Sequence, residues 1–318
     1  MARAHLSLVI EWENARHSEV ARALAMLERL LAQIDETGAG AAGVEIFLVF
    51  DSREIDPRVV KAAAERLRER AGPELPVHEV PVPGGRYYQL KNEGARRASG
   101  EIILFLDSDV LPEAGWLRHL LATFQDPKVQ VAVGNVHVDA TRLYGRLFAL
   151  TWYFPSRSAD GPPLVSGTSM VNNIAMRRGV FDRHPFPDDP TLYIAQCTNW
   201  ADALRQNGID IYLNPSARVA HPPPRFFRSA LINGHDVGRR LRRPGDGWKH
   251  AWRAAFGAFH YHVTVARNRI AAEHREVGLS RAGVPLALAV SSMYWVLWAL
   301  AEAVSRWNPD VIRRRYGG

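Results

Sequence analysis

One cysteine in 318 residues, Cys197, leaves no partner for an internal disulfide and no thiolate set for a zinc site, which fits a reducing compartment. No Gly-x-Gly-x-x-Gly follows the first apolar stretch, so the dinucleotide-binding fingerprint is missing. There is no internal repeat and no low-complexity tract. The opening apolar stretch, Leu6-Ser7-Leu8-Val9-Ile10, is cut off by Glu11 and is too short for a secretory leader, so the first half is expected in the cytoplasm.

What is present is enough apolar matter for a large core: 47% hydrophobic residues against 23% charged, with 24 Gly and 20 Pro to make turns. The net charge of +7 is unevenly spread. Residues 1–220 hold 24 Lys+Arg and 27 Asp+Glu, a net of −3, whereas residues 221–318 hold 16 and 6, a net of +10. An anionic partner is implied at the C-terminal end. The cluster Arg239-Arg240-Leu241-Arg242-Arg243 lacks interleaved aromatics, so nucleic acid is not expected and lipid headgroups are.

Apolar periodicity predicts strands at residues 6–10, 44–50, 77–82, 101–106 and 129–133, alternating with helices at 18–34, 57–70, 92–99 and 114–124. That alternation is an α/β pattern with a parallel sheet, which binds ligands at the carboxyl ends of its strands. Each main strand ends in polar residues: Glu11-Trp12-Glu13-Asn14, Asp51-Ser52-Arg53-Glu54 and Asp107-Ser108-Asp109. Further on come a loop at 165–178, a helix at 198–206, a strand at 209–213 and a turn at Asn214-Pro215. The character changes after His221, giving a domain over 1–221 and a basic, aromatic helical extension over 222–318. The extension contains a helix near 248–265 and an uncharged run at 283–301, roughly 28 Å long as a helix. That run spans a membrane, lies in its interface or packs on a partner subunit; basic residues on both flanks, Arg281 before and Arg306 and Arg313 to Arg315 after, leave its orientation open.

Alternation along a strand puts Asp107 and Asp109 on one side, with Ser108 opposite, an arrangement suited to a divalent cation that keeps water and phosphate ligands. With 16 Asp in the chain, chance alone supplies roughly one Asp-x-Asp, so the weight lies in the strand that delivers it.

Lys91-Asn92, Gly94, Ala98-Ser99-Gly100-Glu101, the apolar strand, Asp107-Ser108-Asp109-Val110, Pro112 and Trp116 together resemble the central motif of the family 2 glycosyltransferases. Ser7 to Ile10 with Asn14, and Val49-Phe50-Asp51-Ser52, resemble the family's first two strands, so the likeness covers about the first 135 residues. The resemblance implies the GT-A fold, a Rossmann-like, mostly parallel sheet flanked by helices. It also implies transfer of a sugar from a UDP- or GDP-linked donor to a hydroxyl of a carbohydrate, lipid-linked or small-molecule acceptor, with inversion and with Mg²⁺ or Mn²⁺.

Carried over by position, Asp51 accepts from the nucleotide base, Lys91, Asn92 and Asp107 line the donor, and Asp107, Asp109 and His221 hold the metal. Looser likenesses run through residues 166–178 and from Gly208 to His221. The family's acidic pair falls here on Gln196-Cys197, with Asn199 at a third acidic position, and neither an amide nor a neutral thiol is a good base. Asp189 and Asp202 are the replacement candidates, with Asp188 beside them. A nucleotide-sugar-binding protein with impaired transfer is the alternative reading. Attachment to the cytoplasmic membrane face is expected, and a homo-oligomer is allowed.

Overall fold

A computed structural model describes residues 5–14, 20–36, 43–152, 154, 157–167, 170–192, 196–243, 245 and 247–311. The predicted helix start at Ser18, Thr168 and Ser169 of the looser motif, and Arg313 to Arg315 lie outside the described residues.

The chain is α/β, and its sheet begins with three continuous apolar runs buried along their whole length: β1 (Leu6–Glu11), β2 (Val44–Phe50) and β4 (Ile102–Asp107). Full burial on both faces is the mark of parallel strands covered by helices. β1 pairs in parallel with β2 on one side and β4 on the other, and β2 pairs with β3 (Val77–Pro81). Beyond β4 the sheet turns antiparallel through β8 (Asn173–Arg177) and continues through β6 (Val131–Val138), β9 (Ile211–His221) and the short β5 (Leu111–Pro112), with β7 (Leu164–Val165) on β9. The chain leaves β1 toward β3 and later returns to β1's other edge as β4, so the carboxyl ends of β1 and β4 flank the topological switch point.

Helices α1 (Val20–Glu36), α2 (Pro57–Ala71), α3 (Tyr87–Arg97), α4 (Trp116–Ala122), α6 (Arg178–Arg183) and α7 (Gln196–Gln206) accompany these strands. α2 starts where Asp56 caps the Arg58 N–H at 2.9 Å and Pro57 presets the first turn. On one sheet face Val9, Val49, Ile103 and Phe105 pack with Tyr88, Leu90 and Ala95 of α3 and Trp200 and Leu204 of α7. Leu8, Ile10, Leu48, Leu104 and Leu106, pointing the other way, are equally buried.

Three expectations change. The stretch expected as a loop at 165–178 contains β8 (Asn173–Arg177), which pairs with both β4 and β6. α3 begins at Tyr87, five residues before the predicted Asn92, and brings Tyr87 and Lys91 into the helix. The expected turn at Asn214-Pro215 is instead the middle of β9. β7 pairs only with Tyr212 and Leu213, so it asks no N–H of Pro215, and Asn214 supplies local bonds by accepting from Ser216 N at 3.0 Å and donating to His119 O at 2.7 Å.

The chain divides into two compact units: 1–136, 157–188 and 197–221 form one; 137–156, 189–196 and 222–318 form the other. The second is helical, built from α5 (Leu143–Thr151), α8 (Phe226–Arg240), α9 (Trp248–Glu273) and α10 (Val284–Trp307). α5 and α8 were not anticipated. Gly234 and Gly238, one turn apart on α8, let it lie directly on α10: a Cβ on either would stand 2.2 Å from Trp298 O or 2.5 Å from Glu302 O. Tyr294 sits edge-on to Phe148 and Phe226, with its hydroxyl 2.9 Å from Ser229 Oγ. His262 stacks on Trp295 at 4.0 Å, and burial pushes its imidazole down to about 4, so it is neutral near pH 7. The 281–307 stretch, mostly α10, is the one helix among the described residues long and apolar enough to cross a membrane.

Candidate functional site

Parallel register places Glu11 of β1 directly beside Asp107 of β4. Two carboxylates at adjacent strand ends need cations and donors, and the surrounding residues supply them. Lys91, wholly buried, reaches Asp107 Oδ1 at 2.6 Å. Tyr87 OH donates to the same carboxylate at 2.8 and 3.0 Å, and the Asn14 amide bridges Asp107 Oδ2 and Glu11 Oε1, both at 2.9 Å. Burial pushes the Glu11 carboxyl well above its ordinary value; the negative charge of Asp107 adds to this and Lys91 opposes it. Burial also raises the Tyr87 phenol well above 10, with Asp107 again on the same side, so Tyr87 remains a donor.

Strand geometry ends at Asp107, and Ser108 and Asp109 lie in the following turn. Asp109 consequently serves a different neighbourhood from Asp107. The pairing of Leu111 with Ala220 brings the end of β9 against this turn, and His221 bears electrostatically on Asp109. Arg22 of α1 ties the two segments together, donating to Asp109 O at 2.5 Å and Ala220 O at 2.8 Å. Burial holds the Asp109 carboxyl above the ordinary range; His221 opposes this, Asp107 adds to it and Arg22 opposes it. Among the described residues, Asp109 Oδ1 is buried and has no hydrogen-bond partner, an expensive state for a carboxylate unless something positive is brought to it.

No three His, Cys, Asp or Glu side chains converge as a complete cage among the described residues. A Mg²⁺ or Mn²⁺ that keeps waters and phosphates as ligands asks for only one or two protein donors. Asp109 and the neighbouring His221 suit it chemically, whereas Asp107 has both oxygens engaged by Lys91, Tyr87 and Asn14.

Asp51, just past β2, accepts from Gly84 N at 2.7 Å and Arg53 N at 2.9 Å, both on Oδ1, so among the described residues these bonds leave Oδ2 for a ligand N–H. Gly84 also lines a cavity of about 340 Å³, together with Pro83, Gly85, Gln89, Arg96 and Asp188. Asn92 spends both ends of its amide on Phe186, donating to the carbonyl at 2.8 Å and accepting from the N–H at 3.1 Å. It therefore fastens the 186–188 segment to α3. Asp188 is in turn held by Arg86 and by Gln89 Nε2 at 2.6 Å.

Asp202, half-buried on α7, pairs with Arg205 at 2.6 Å. Asp189 belongs to the helical unit and accepts from Thr191 N at 2.8 Å and Thr191 Oγ1 at 2.5 Å. Gln196, in the position expected for an acid, accepts from Asp189 N at 2.8 Å and donates to Asp189 O at 3.0 Å and Leu192 O at 3.2 Å. Sequence reasoning passed over Glu11, Tyr87 and Arg22. The only signal for Glu11 was its place at the polar end of the first strand; Tyr87 lay outside the predicted helix, and Arg22 acts across 87 and 198 residues of chain.

A family model described as "Glycosyl transferase family 2" matches residues 19–183, just over half of the chain. No curated protein matches in sequence. Among solved structures, the mannosyltransferase PcManGT from Pyrobaculum calidifontis in complex with GDP-Man and Mn²⁺ aligns with a TM-score of 0.57 at 17% identity, over 97% of this chain and 88% of that one. GalNAc-T7 with UDP, GalNAc and Mn²⁺ aligns with a TM-score of 0.53 at 15% identity, over 80% of this chain; this chain spans about half, 51%, of that one. At such identities the likeness is one of fold.

Proposed function

The chain belongs to the family 2 glycosyltransferases and has their GT-A fold, and from that premise we propose that it moves a sugar, with inversion, from a nucleoside diphosphate to an acceptor hydroxyl. The observation that carries this reading is the buried, unpartnered Asp109 oxygen next to His221, at the same strand end where Lys91 neutralises Asp107. A divalent Mg²⁺ or Mn²⁺ held by Asp109 and His221 would supply Lewis-acid neutralisation of the departing diphosphate. Lys91 and Tyr87 hold the Asp107 side chain in place at the end of β4. Asp51 Oδ2 takes a base N–H, which uracil and guanine both present, and the two aligned structures hold UDP and GDP-Man. The adjoining 340 Å³ cavity offers room for the base. The acceptor is a hydroxyl-bearing carbohydrate, lipid-linked sugar or small molecule.

The acceptor proton goes to Asp189 or Asp202, each of which must first release its own partner, Thr191 or Arg205. Loss of transfer in Asp202→Asn with retention in Asp189→Asn, or the reverse, identifies the base. A second reading, nucleotide-sugar binding with impaired transfer, is favoured by the structural employment of Gln196 where an acid is expected. One experiment separates the two: release of UDP or GDP from a panel of sugar donors with Mn²⁺, with acceptors added. Turnover that disappears in Asp107→Ala plus Asp109→Ala supports catalysis; binding without turnover across the panel supports the second reading; turnover undiminished in the double variant overturns the proposed mechanism.

A further inference from the structure

Helix α9 sets Trp248, Trp252 and Phe256 four residues apart, so they form one line along the helix, and they stand 57%, 46% and 71% exposed. Lys249 and Arg253 each follow a tryptophan and make a parallel basic line, with Lys249 Nζ 5.7 Å from the centre of the Trp248 ring. The end of α8 adds exposed Arg240, Leu241, Arg242 and Arg243 just before α9 begins. Across the 26 residues of α9 the only acid is Glu273, at the last position and bonded to Arg269 at 3.0 Å.

An aromatic line bordered by basic residues fits the boundary of an anionic bilayer: Trp and Phe enter the headgroup layer, while Lys and Arg lay their stems along it and present charge to the phosphates. A second copy of the same face would set Lys249 and Arg253 against themselves. α10, for its part, turns Ser291, Tyr294, Glu302, Ser305 and Arg306 into the unit, with an internal Glu302–Arg306 pair at 2.7 Å, and so acts as the helix on which α8 and α9 rest.

We propose that α9 lies flat on an anionic phospholipid surface, inserting Trp248, Trp252 and Phe256 and meeting phosphates with Lys249, Arg253 and the Arg240 to Arg243 segment. This inference is independent of the transfer reaction. The test is flotation of the full chain with vesicles of phosphatidylcholine, with and without phosphatidylglycerol, at low and high salt, while tryptophan emission is followed. Co-flotation confined to the phosphatidylglycerol vesicles, reversed by salt and accompanied by a blue shift, is expected. Lys249→Gln plus Arg253→Gln should weaken it roughly fivefold for each charge removed, and Trp252→Ser plus Phe256→Ser roughly tenfold or more. These side chains are exposed, so an unchanged melting temperature shows that the variants fold. Failure to float with phosphatidylglycerol, or equal flotation with phosphatidylcholine alone, overturns the proposal. Vesicle binding that survives high salt would overturn it in favour of a spanning α10, and variants that change the oligomeric mass but not vesicle binding in favour of self-association.

Discussion

Lys91 is wholly buried because Asp107 lies 2.6 Å away, and neither charge is tolerable without the other. Lys91→Met should leave the carboxylate with only the Tyr87 and Asn14 donors, costing about 3–5 kcal/mol of stability and abolishing donor binding, as read by thermal unfolding and nucleotide titration. Tyr87→Phe removes one donor of the same cluster and should cost less, about 1–3 kcal/mol. At the other end of the sheet Glu45 accepts from Ser7 Oγ and Ser99 N, both at 2.6 Å. Burial alone would raise its carboxyl, but these hydrogen bonds prevail and hold it below the ordinary 4.5. The folded state therefore binds fewer protons there than the unfolded one, and the stabilisation is present above 4.5 and lost as pH falls below it. Urea midpoints measured from about pH 6 down to about pH 3 should show a shallower acid loss in Glu45→Gln than in the parent.

At the level of elements, two glycines set how closely helices approach their neighbours. Gly94 lets α3 rest on β1 and β2: a Cβ there would meet Val9 Cγ1 at 2.5 Å and Val49 Cγ2 at 2.8 Å, both on buried β-branched side chains. Gly94→Ala should cost about 1–3 kcal/mol and, because α3 carries Tyr87 and Lys91, should weaken donor binding beyond what the loss of stability explains. Gly238→Ala on α8 faces a backbone oxygen, which cannot rotate away, and should cost about 3 kcal/mol. Its melt, followed by far-ultraviolet circular dichroism, should report loss of helix first. The helices that escaped prediction belong to this scale. α8 was masked by the prolines before it and the arginines within and after it, and its governing feature, Gly234 and Gly238 against α10, has meaning only once α10 is beside it.

For the whole molecule, a ligand that binds only the folded chain must stabilise it, by about 2.7 kcal/mol at a concentration one hundred times its Kd. UDP or GDP with Mn²⁺ should therefore raise the melting temperature, chelation of the metal should remove most of the rise, and Asp109→Asn should behave as the chelated parent. The charge of the chain, −3 over residues 1–220 and +10 over 221–318, is likewise a molecular property, one that the average of +7 conceals. Sequence alone determined the strands of the sheet's parallel half, because fully buried strands must be continuous apolar runs and their polar ends must face the crevice, whereas their order came from the structure. Sequence also determined that Asp51, Asp107 and Asp109 end or follow such strands. Tertiary structure decided the partners: Glu11 joined Asp107 through parallel register, His221 reached Asp109 through the pairing of Leu111 with Ala220, and Lys91 took Asp107 once α3 began at Tyr87. Each of these contacts depends on which strand edges meet and where a helix starts, distances set by packing between segments far apart in the chain, and a local pattern of residues carries no measure of them.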